Sequence, residues 1–479
     1  MRASVRLVGR SRVVVAVVAA ALVCGGATSA VFAATRTAGP TTKELTITVS
    51  DGTRLACGLV LPGGSAPAGG WPGLLLFHGL GQTHAFMEKI AAVAVAPAAF
   101  ASLACDARGT GASGGKFGLD GPREVQDARD LFGWLAGRSD VSDTRIGAFG
   151  LSLGGAEVWN AAVAGVPFKA IVPAVTWTNL ATALNPNGVP KSGLIDELSR
   201  DVPLARWDAS LAGAWSDLSS GKVTAAVKTA ESARSSRSKL HSLRIPTLLL
   251  QGRHDFLFDA DQAVAAYRLL AGPKRLYLGD LGHAPATNPQ TEEIVYLGEA
   301  VGWLEHYLAG APKLVRGGVE LAHDPWNGRT SFYEGIPRRR HKAVNLPGKT
   351  TLGSPGASVR RSVRLTGGPL ETFGGGSVTV RYSGAQQWGD LIAAVAVKGT
   401  STPVTFGAAA VKARAGVLRI PLSNQAVFLP RGKRLVVTVG GQTAGGVYEP
   451  APPPTVGGNS ITVRRITLDL SLLKRAVSR

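Results

Sequence analysis

The chain has 479 residues, enough for two ordinary domains, and its 45% apolar and 18% charged content excludes a disordered protein. The net charge of +20 is unevenly spread: residues 311–479 hold 24 Lys and Arg against 7 Asp and Glu, while residues 35–310 are close to neutral. No base-reading motif accompanies the charge, which excludes nucleic acid as the partner. A basic C-terminal part fits an anionic cell-envelope surface, or simple solvation.

Residues 1–34 read as an export signal. Arg2, Arg6, Arg10 and Arg12 precede the apolar run Val13–Val23, and small residues allow cleavage after Ala30 or Ala33. The run is short for a bilayer span, although a retained anchor is the competing reading. Cys24 lacks a good lipid-attachment context, given Ala21 and Val23. The expected location is therefore secreted or envelope-associated, in an oxidising setting. Cys57 and Cys105 fall in two predicted strands, Arg54–Pro62 and Ala99–Asp106. They either bridge or stay buried thiols, depending on whether their α-carbons come within about 7 Å.

Glu44–Ser50 and Arg54–Pro62 predict an opening hairpin around Asp51-Gly52. Gly73–Phe77 is a buried strand that runs into His78-Gly79-Leu80-Gly81-Gln82. His78 is read as orienting that loop and His84 as starting a helix, which continues through Met87–Val95. After the strand ending at Asp106, Asp106 and Arg108 are expected to brace a glycine-rich loop by pairing. A helix over Pro122–Ala136 follows.

Next comes the apolar run Ile146–Phe149, then Gly150-Leu151-Ser152-Leu153-Gly154-Gly155, then helical spacing through Val158, Trp159, Ala162 and Val163. Strand, Gly-x-Ser-x-Gly and helix together describe a nucleophile elbow, with glycines where side chains would collide. The turn would lift Ser152 to the sheet edge and aim the Leu153 N–H at a developing oxyanion. The loop after Phe77 would supply the second donor, the N–H of Leu80.

Strands alternating with helices predict a mostly parallel sheet covered on both faces. Thr178–Ser242 interrupts the alternation and reads as a cap over the sheet's active edge. Trp177, just before this region, and Trp207 within it are candidate pocket residues, with Trp215 as a third; packing inside the cap is the competing reading. Alternation resumes with Pro246–Gln251, which leads to Asp255, and with Lys274–Leu278, which leads to His283.

Ser152, Asp255 and His283 thus occur in the order nucleophile, acid, base, each past a strand. That order is the α/β-hydrolase one. His283 would take the serine proton and pass it to the leaving group, and Asp255 would hold the imidazole tautomer. Asp259 and Asp261 are rival acids better placed to start the next helix, and Asp280 lies too near His283 in sequence. No cofactor is expected, and no Cys/His cluster suggests a metal.

Gly150–Ala162, the Asp106–Gly115 region and Gln251-Gly-Arg-His-Asp255 resemble the X-Pro dipeptidyl-peptidase-like hydrolases, which include the cocaine-esterase type. The resemblance covers most of residues 40–310. It implies the triad as assigned, a helical cap over about 178–242 and a C-terminal jelly-roll-like β-domain. Short alternating runs at Ser377–Tyr382, Leu391–Val397, Val411–Ile420, Arg434–Val439 and Ile461–Leu470 predict that all-β sandwich independently. The expected architecture is an α/β-hydrolase domain over 35–310 followed by a β-sandwich over 311–479. Those enzymes commonly take one oxyanion donor from a tyrosine, whereas Phe77-His-Gly-Leu-Gly81 has none.

The expected substrate is a small molecule or a peptide. An ester or amide hydrolase is the first reading. An X-Pro dipeptidyl-peptidase is the second, and needs a carboxylate for the substrate ammonium; Glu157, Asp196, Glu197, Asp201 and Asp208 are the candidates. A non-catalytic protein docking through its basic β-domain is the third.

Overall fold

The computed structural model describes residues 39–312, 317–354, 356–366, 369–385, 388–441, 447–448 and 460–474. The export signal predicted over 1–34 lies outside them. No helix of the described residues is long and apolar enough to cross a membrane.

The first ten strands form one sheet. They are β1 (Thr41–Thr48), β2 (Arg54–Leu61), β3 (Trp71–Phe77), β4 (Ala101–Cys105), β5 (Val141–Leu151), β6 (Ile171–Ala174), β7 (Thr247–Gly252), β8 (Lys274–Gly279), β9 (Gly318–Ala322) and β10 (Thr330–Tyr333). Their spatial order is β1-β2-β4-β3-β5-β6-β7-β8-β9-β10. The centre, from β4 to β9, is parallel, and β1, β2 and β10 add antiparallel edges. Near-continuous apolar strands such as Leu74–Leu76 and Leu248–Leu250 are buried because helices cover both faces.

Those helices are α1 (His84–Ile90), α2 (Pro122–Ala136) and α3 (Leu153–Val163), then the cap helices α4 (Leu180–Leu184), α5 (Ser192–Leu198), α6 (Ala209–Ser219) and α7 (Ala225–Ala233), and finally α8 (Asp261–Leu269) and α9 (Gln290–Leu304). The sheet continues past residue 310. β9 and β10, placed by sequence in the β-domain, instead extend the large sheet, because β9 pairs in parallel with β8.

The remaining chain is a two-sheet antiparallel sandwich. One sheet has β11 (Arg339–Leu352), β14 (Ser377–Ser383), β17 (Ala415–Pro421) and β20 (Ile461–Leu473); the other has β12 (Ser358–Arg364), β15 (Asp390–Val397), β16 (Pro403–Ala410) and β19 (Arg434–Gly440). The short pair β13 (Leu370–Glu371) and β18 (Phe428–Leu429) closes one side. Inward Val378, Val380, Leu391, Val437, Ile466 and Leu468 form its core.

Cys57 stands directly opposite Cys105 across the antiparallel β2–β4 pair, and their sulfurs are bonded. The closed loop spans 48 residues and ties the opening hairpin to the sheet.

Candidate active site

β5 ends in the tight turn at Ser152, whose φ of 55° and ψ of −113° lie outside the ordinary regions. Glycine permits the turn. A Cβ on Gly150 would sit 2.1 Å from the Gly154 carbonyl oxygen, and one on Gly154 would sit 2.2 Å from that of Phe77. Gly155 clears the Ala174 carbonyl in the same way. The strand, turn and helix pack so closely that any methyl would force them apart.

Ser152 Oγ lies 2.8 Å from His283 Nε2, and His283 Nδ1 lies 2.7 Å from Asp255 Oδ2. Asp255 is fully buried. Its other oxygen accepts from the N–H groups of Leu257 and Phe258 at 2.9 and 2.8 Å. The His283 backbone N–H donates to Oδ2 as well. The rival acids are engaged elsewhere: Asp259 accepts from Asn424 N–H, Asp261 pairs with Arg237, and Asp280 pairs with His254. The Phe258 ring stands edge-on to His283 at 5.0 Å and against Trp177 at 5.1 Å.

Among the described residues, neither the Leu153 nor the Leu80 backbone N–H donates to a protein acceptor. His78 shapes their surroundings. Its Nε2 accepts from Ala107 N–H at 3.0 Å, its Nδ1 lies 2.8 Å from the Gly79 carbonyl, and its own carbonyl accepts from Gly154 N–H. Burial lowers its pKa, which keeps the ring neutral and able to accept. Gln82 takes the Gly79 N–H, while the Leu80 N–H has no acceptor among the described residues.

The expected Asp106–Arg108 pair is corrected. Arg108 does not pair with Asp106; it forms a two-toothed bridge to Asp127 and reaches Asp51. Asp106 instead accepts from His84 and from Ala112 N–H. Trp177 lies one layer behind Phe258, with its indole N–H on the Arg234 carbonyl. Trp207 packs between Phe117 and Trp215, 4.9 Å from each, inside the cap's own core. Its ring is thus used for packing because the small cap helices need an apolar centre.

Behind the elbow, a cavity of about 40 Å³ is lined by Asp120, Glu124, Asp127 and Glu157 with His78, Leu153 and Gly154. Burial pushes the Asp120 and Glu157 carboxyls well up, and Glu124 to about 7. Glu157 is thus buried in the wall of this cavity with Asp120 and Glu124. Of the remaining carboxylates, Asp208 caps α6, Asp196 pairs with Arg200, and Asp201 stands against Gly81 of the oxyanion-side loop.

The loop carrying Asp255 has anchors that spacing alone does not reveal. Arg253, fully buried, donates to the carbonyls of Ala322 and Ala426 and pairs with Glu371. Gln425 donates to the Asp255 carbonyl at 2.9 Å. From the cap, Lys191 donates to the carbonyls of Phe256 and Leu257, and its burial lowers it to about 8. His254 bridges Asp280 and Asp324. Arg253 carried a readable signal, a charge just past the apolar run Leu248–Leu250; Lys191 and Gln425, 64 and 170 residues from the acid, carried none.

Residues 51–285 match the model of the X-Pro dipeptidyl-peptidase (S15) family. The chain is a serine hydrolase whose residues 51–285 are similar to the S15 family. Solved structures with the same fold include a CocE/NonD family hydrolase from Staphylococcus aureus, 12% identical, with a TM-score of 0.68 and coverage of 90% of this chain and 94% of that one. An aminopeptidase from a marine sediment Thaumarchaeota archaeon is 14% identical, with a TM-score of 0.67 over 94% and 99% of the two chains. An α-amino acid ester hydrolase is 14% identical, with a TM-score of 0.66 over 93% and 98%. No curated protein matches this hydrolase by sequence.

Proposed function

We propose that the chain is an exported hydrolase that cleaves carboxylic esters or amides through an acyl-enzyme on Ser152. The observation that carries the reading is the continuous relay from Ser152 through His283 to Asp255. His283 takes the hydroxyl proton as Ser152 attacks the carbonyl, then gives it to the leaving group; water repeats the cycle on the acyl-enzyme. The N–H groups of Leu153 and Leu80 receive the oxyanion, each contributing about 3 kcal/mol in sites of this kind. A backbone-only hole fits the lack of a tyrosine in the Phe77–Gly81 loop. Turnover of a short-chain p-nitrophenyl ester by the mature protein tests the reading. Ser152→Ala should abolish it and abolish fluorophosphonate labelling; an equally active variant would refute it.

The second reading, an X-Pro dipeptidyl-peptidase, gains support from Asp201, whose side chain packs against Gly81 beside the proposed oxyanion donor. It predicts cleavage of an Ala-Pro anilide that stops when the amine is acetylated, with Asp201→Asn raising KM. Ester cleavage without anilide turnover would set it aside.

The basic β-domain is read as a docking face for an anionic envelope surface. Exposed Arg381 stands directly opposite Arg465 on neighbouring strands, an arrangement that is unfavourable without a counter-charge. Co-sedimentation with phosphatidylglycerol vesicles, lost in high salt and in Arg381→Glu, tests it; equal sedimentation of the variant rules it out.

A further inference from the structure

The proposed chemistry leaves one cluster of ligating side chains unused, beyond the 78–83 loop. We propose that Glu44, His84 and Glu88 form a binding site for a single Zn²⁺ ion. His84 and Glu88 are four residues apart on α1 and so lie side by side. Glu44, on the edge strand β1, reaches the same point. His84 Nε2 is 3.0 Å from Glu44 Oε2 and 4.0 Å from Glu88 Oε1, and one ligand atom of each lies within 4.8 Å of the others. Zinc bonds of roughly 2.0–2.2 Å in a tetrahedron place ligand atoms about 3.3–3.5 Å apart. Carboxylate movements of roughly 0.5–1.5 Å would close the set, with water in the fourth position.

Two further features point to an ion rather than to an ordinary ion pair. The first is the support behind the imidazole. His84 Nδ1 lies 2.8 Å from Asp106 Oδ1, and Asp106 is itself held by the N–H groups of His84 and Ala112. A carboxylate behind a histidine fixes the tautomer and turns the other nitrogen towards a metal. The second is Glu88. Its Oε1 is buried with no hydrogen-bond partner. A Cβ on Gly58 would fall 1.3 Å from that oxygen, so the glycine makes the space it occupies. Three carboxylates (Glu44, Glu88 and Asp106) converge on the single His84 ring. Mixed nitrogen and carboxylate donors suit Zn²⁺, whereas Ca²⁺ and Mg²⁺ prefer oxygen throughout. Sequence spacing hides the site, since Glu44 lies 40 residues before His84.

The ion would tie β1 to α1, the helix that follows the loop bearing Leu80. The test is calorimetric titration of chelator-stripped mature protein with Zn²⁺ alone, beside thermal melts with and without the ion. One equivalent should bind and raise the Tm, because only the folded chain assembles the ligands. Glu88→Gln and Glu44→Gln should each weaken binding by tenfold or more, and Asp106→Asn by roughly 10–100-fold. Glu44 is exposed on an edge strand, so Glu44→Gln stays informative if Glu88→Gln misfolds. Absence of a saturable equivalent, unchanged binding in Glu44→Gln, or preference for Ca²⁺ over Zn²⁺ would each overturn the proposal.

Discussion

Ser152 and Asp255 both stand past the ends of strands in one sheet, but they are positioned by opposite means. Ser152 is placed by its immediate neighbours: β5, a turn with φ of 55°, and α3, with Gly150 and Gly154 allowing the approach. Asp255 is placed from afar, by Ala322 at the end of β9, by Lys191 in the cap, and by Glu371, Gln425 and Ala426 in the sandwich. One geometry is local and steric. The other is assembled from hydrogen bonds and a buried charge that three parts of the chain must deliver together.

The comparison breaks most visibly at Gly154. A methyl there meets the Phe77 carbonyl at 2.2 Å, so Gly154→Ala should destabilise the domain by about 3 kcal/mol or more and abolish ester turnover. Denaturant melts and a single-point assay check it; a folded, active variant would mean the elbow can relax. Next, Asp255→Asn should leave the fold intact and lower kcat by about 10⁴-fold, through loss of the favoured imidazole tautomer. A drop of less than about tenfold would show that the acid is not needed for the relay.

The remote anchors sharpen the contrast. Gln425→Ala removes the donor to the Asp255 carbonyl without touching the proposed relay atoms. A roughly tenfold loss in kcat with unchanged KM, equivalent to about 1.4 kcal/mol, is expected. An unchanged kcat would mean the sandwich supports the loop without positioning it. The smallest effect concerns pH. Burial opposes charging of His254, but its bonds to Asp280 and Asp324 prevail and raise it from 6.5 to about 9. A raised folded pKa contributes stability that is fully present below 6.5 and is lost as pH rises through about 9. The Tm should therefore fall more steeply across that window in the parent than in His254→Gln; parallel curves would refute the assignment.

The same contrast explains what the sequence could disclose. The elbow was legible because most of it lies within Ile146–Gly155, and because glycine at a forbidden Cβ position is a local signal. The order of Ser152, Asp255 and His283 was legible because each ends a strand with its own apolar pattern. The sandwich could be read from alternation, apart from strands such as β16, whose Gly and Ala residues blur the period. The pairing of Arg108 was not legible. Asp106 is the nearer carboxylate in sequence, yet α2 carries Asp127 to the guanidinium, and His84 claims Asp106 first. The boundary near residue 310 failed for a related reason: a strand's sheet is decided by its pairing partner, and β9 finds β8. The roles of Trp177 and Trp207 depended on the cap's fold, which short amphipathic segments do not specify.

The clasp between residues 424–426 and the loop at 253–260 also sets an order of completion. Ala426 N–H meets the Arg253 carbonyl, Arg253 Nε returns the bond to the Ala426 carbonyl, and Ala260 N–H meets the Asn424 carbonyl. In chain order the serine turn and its helix precede residue 424 by more than 250 residues. The loop bearing Asp255 gains its last fastenings only when most of the sandwich has been made. Cutting the chain after β10 would keep every strand of the large sheet and remove that clasp. The C-terminal sandwich is thus a late-arriving part of the hydrolase's own frame, and a fragment ending at Tyr333 is a poor stand-in for the whole.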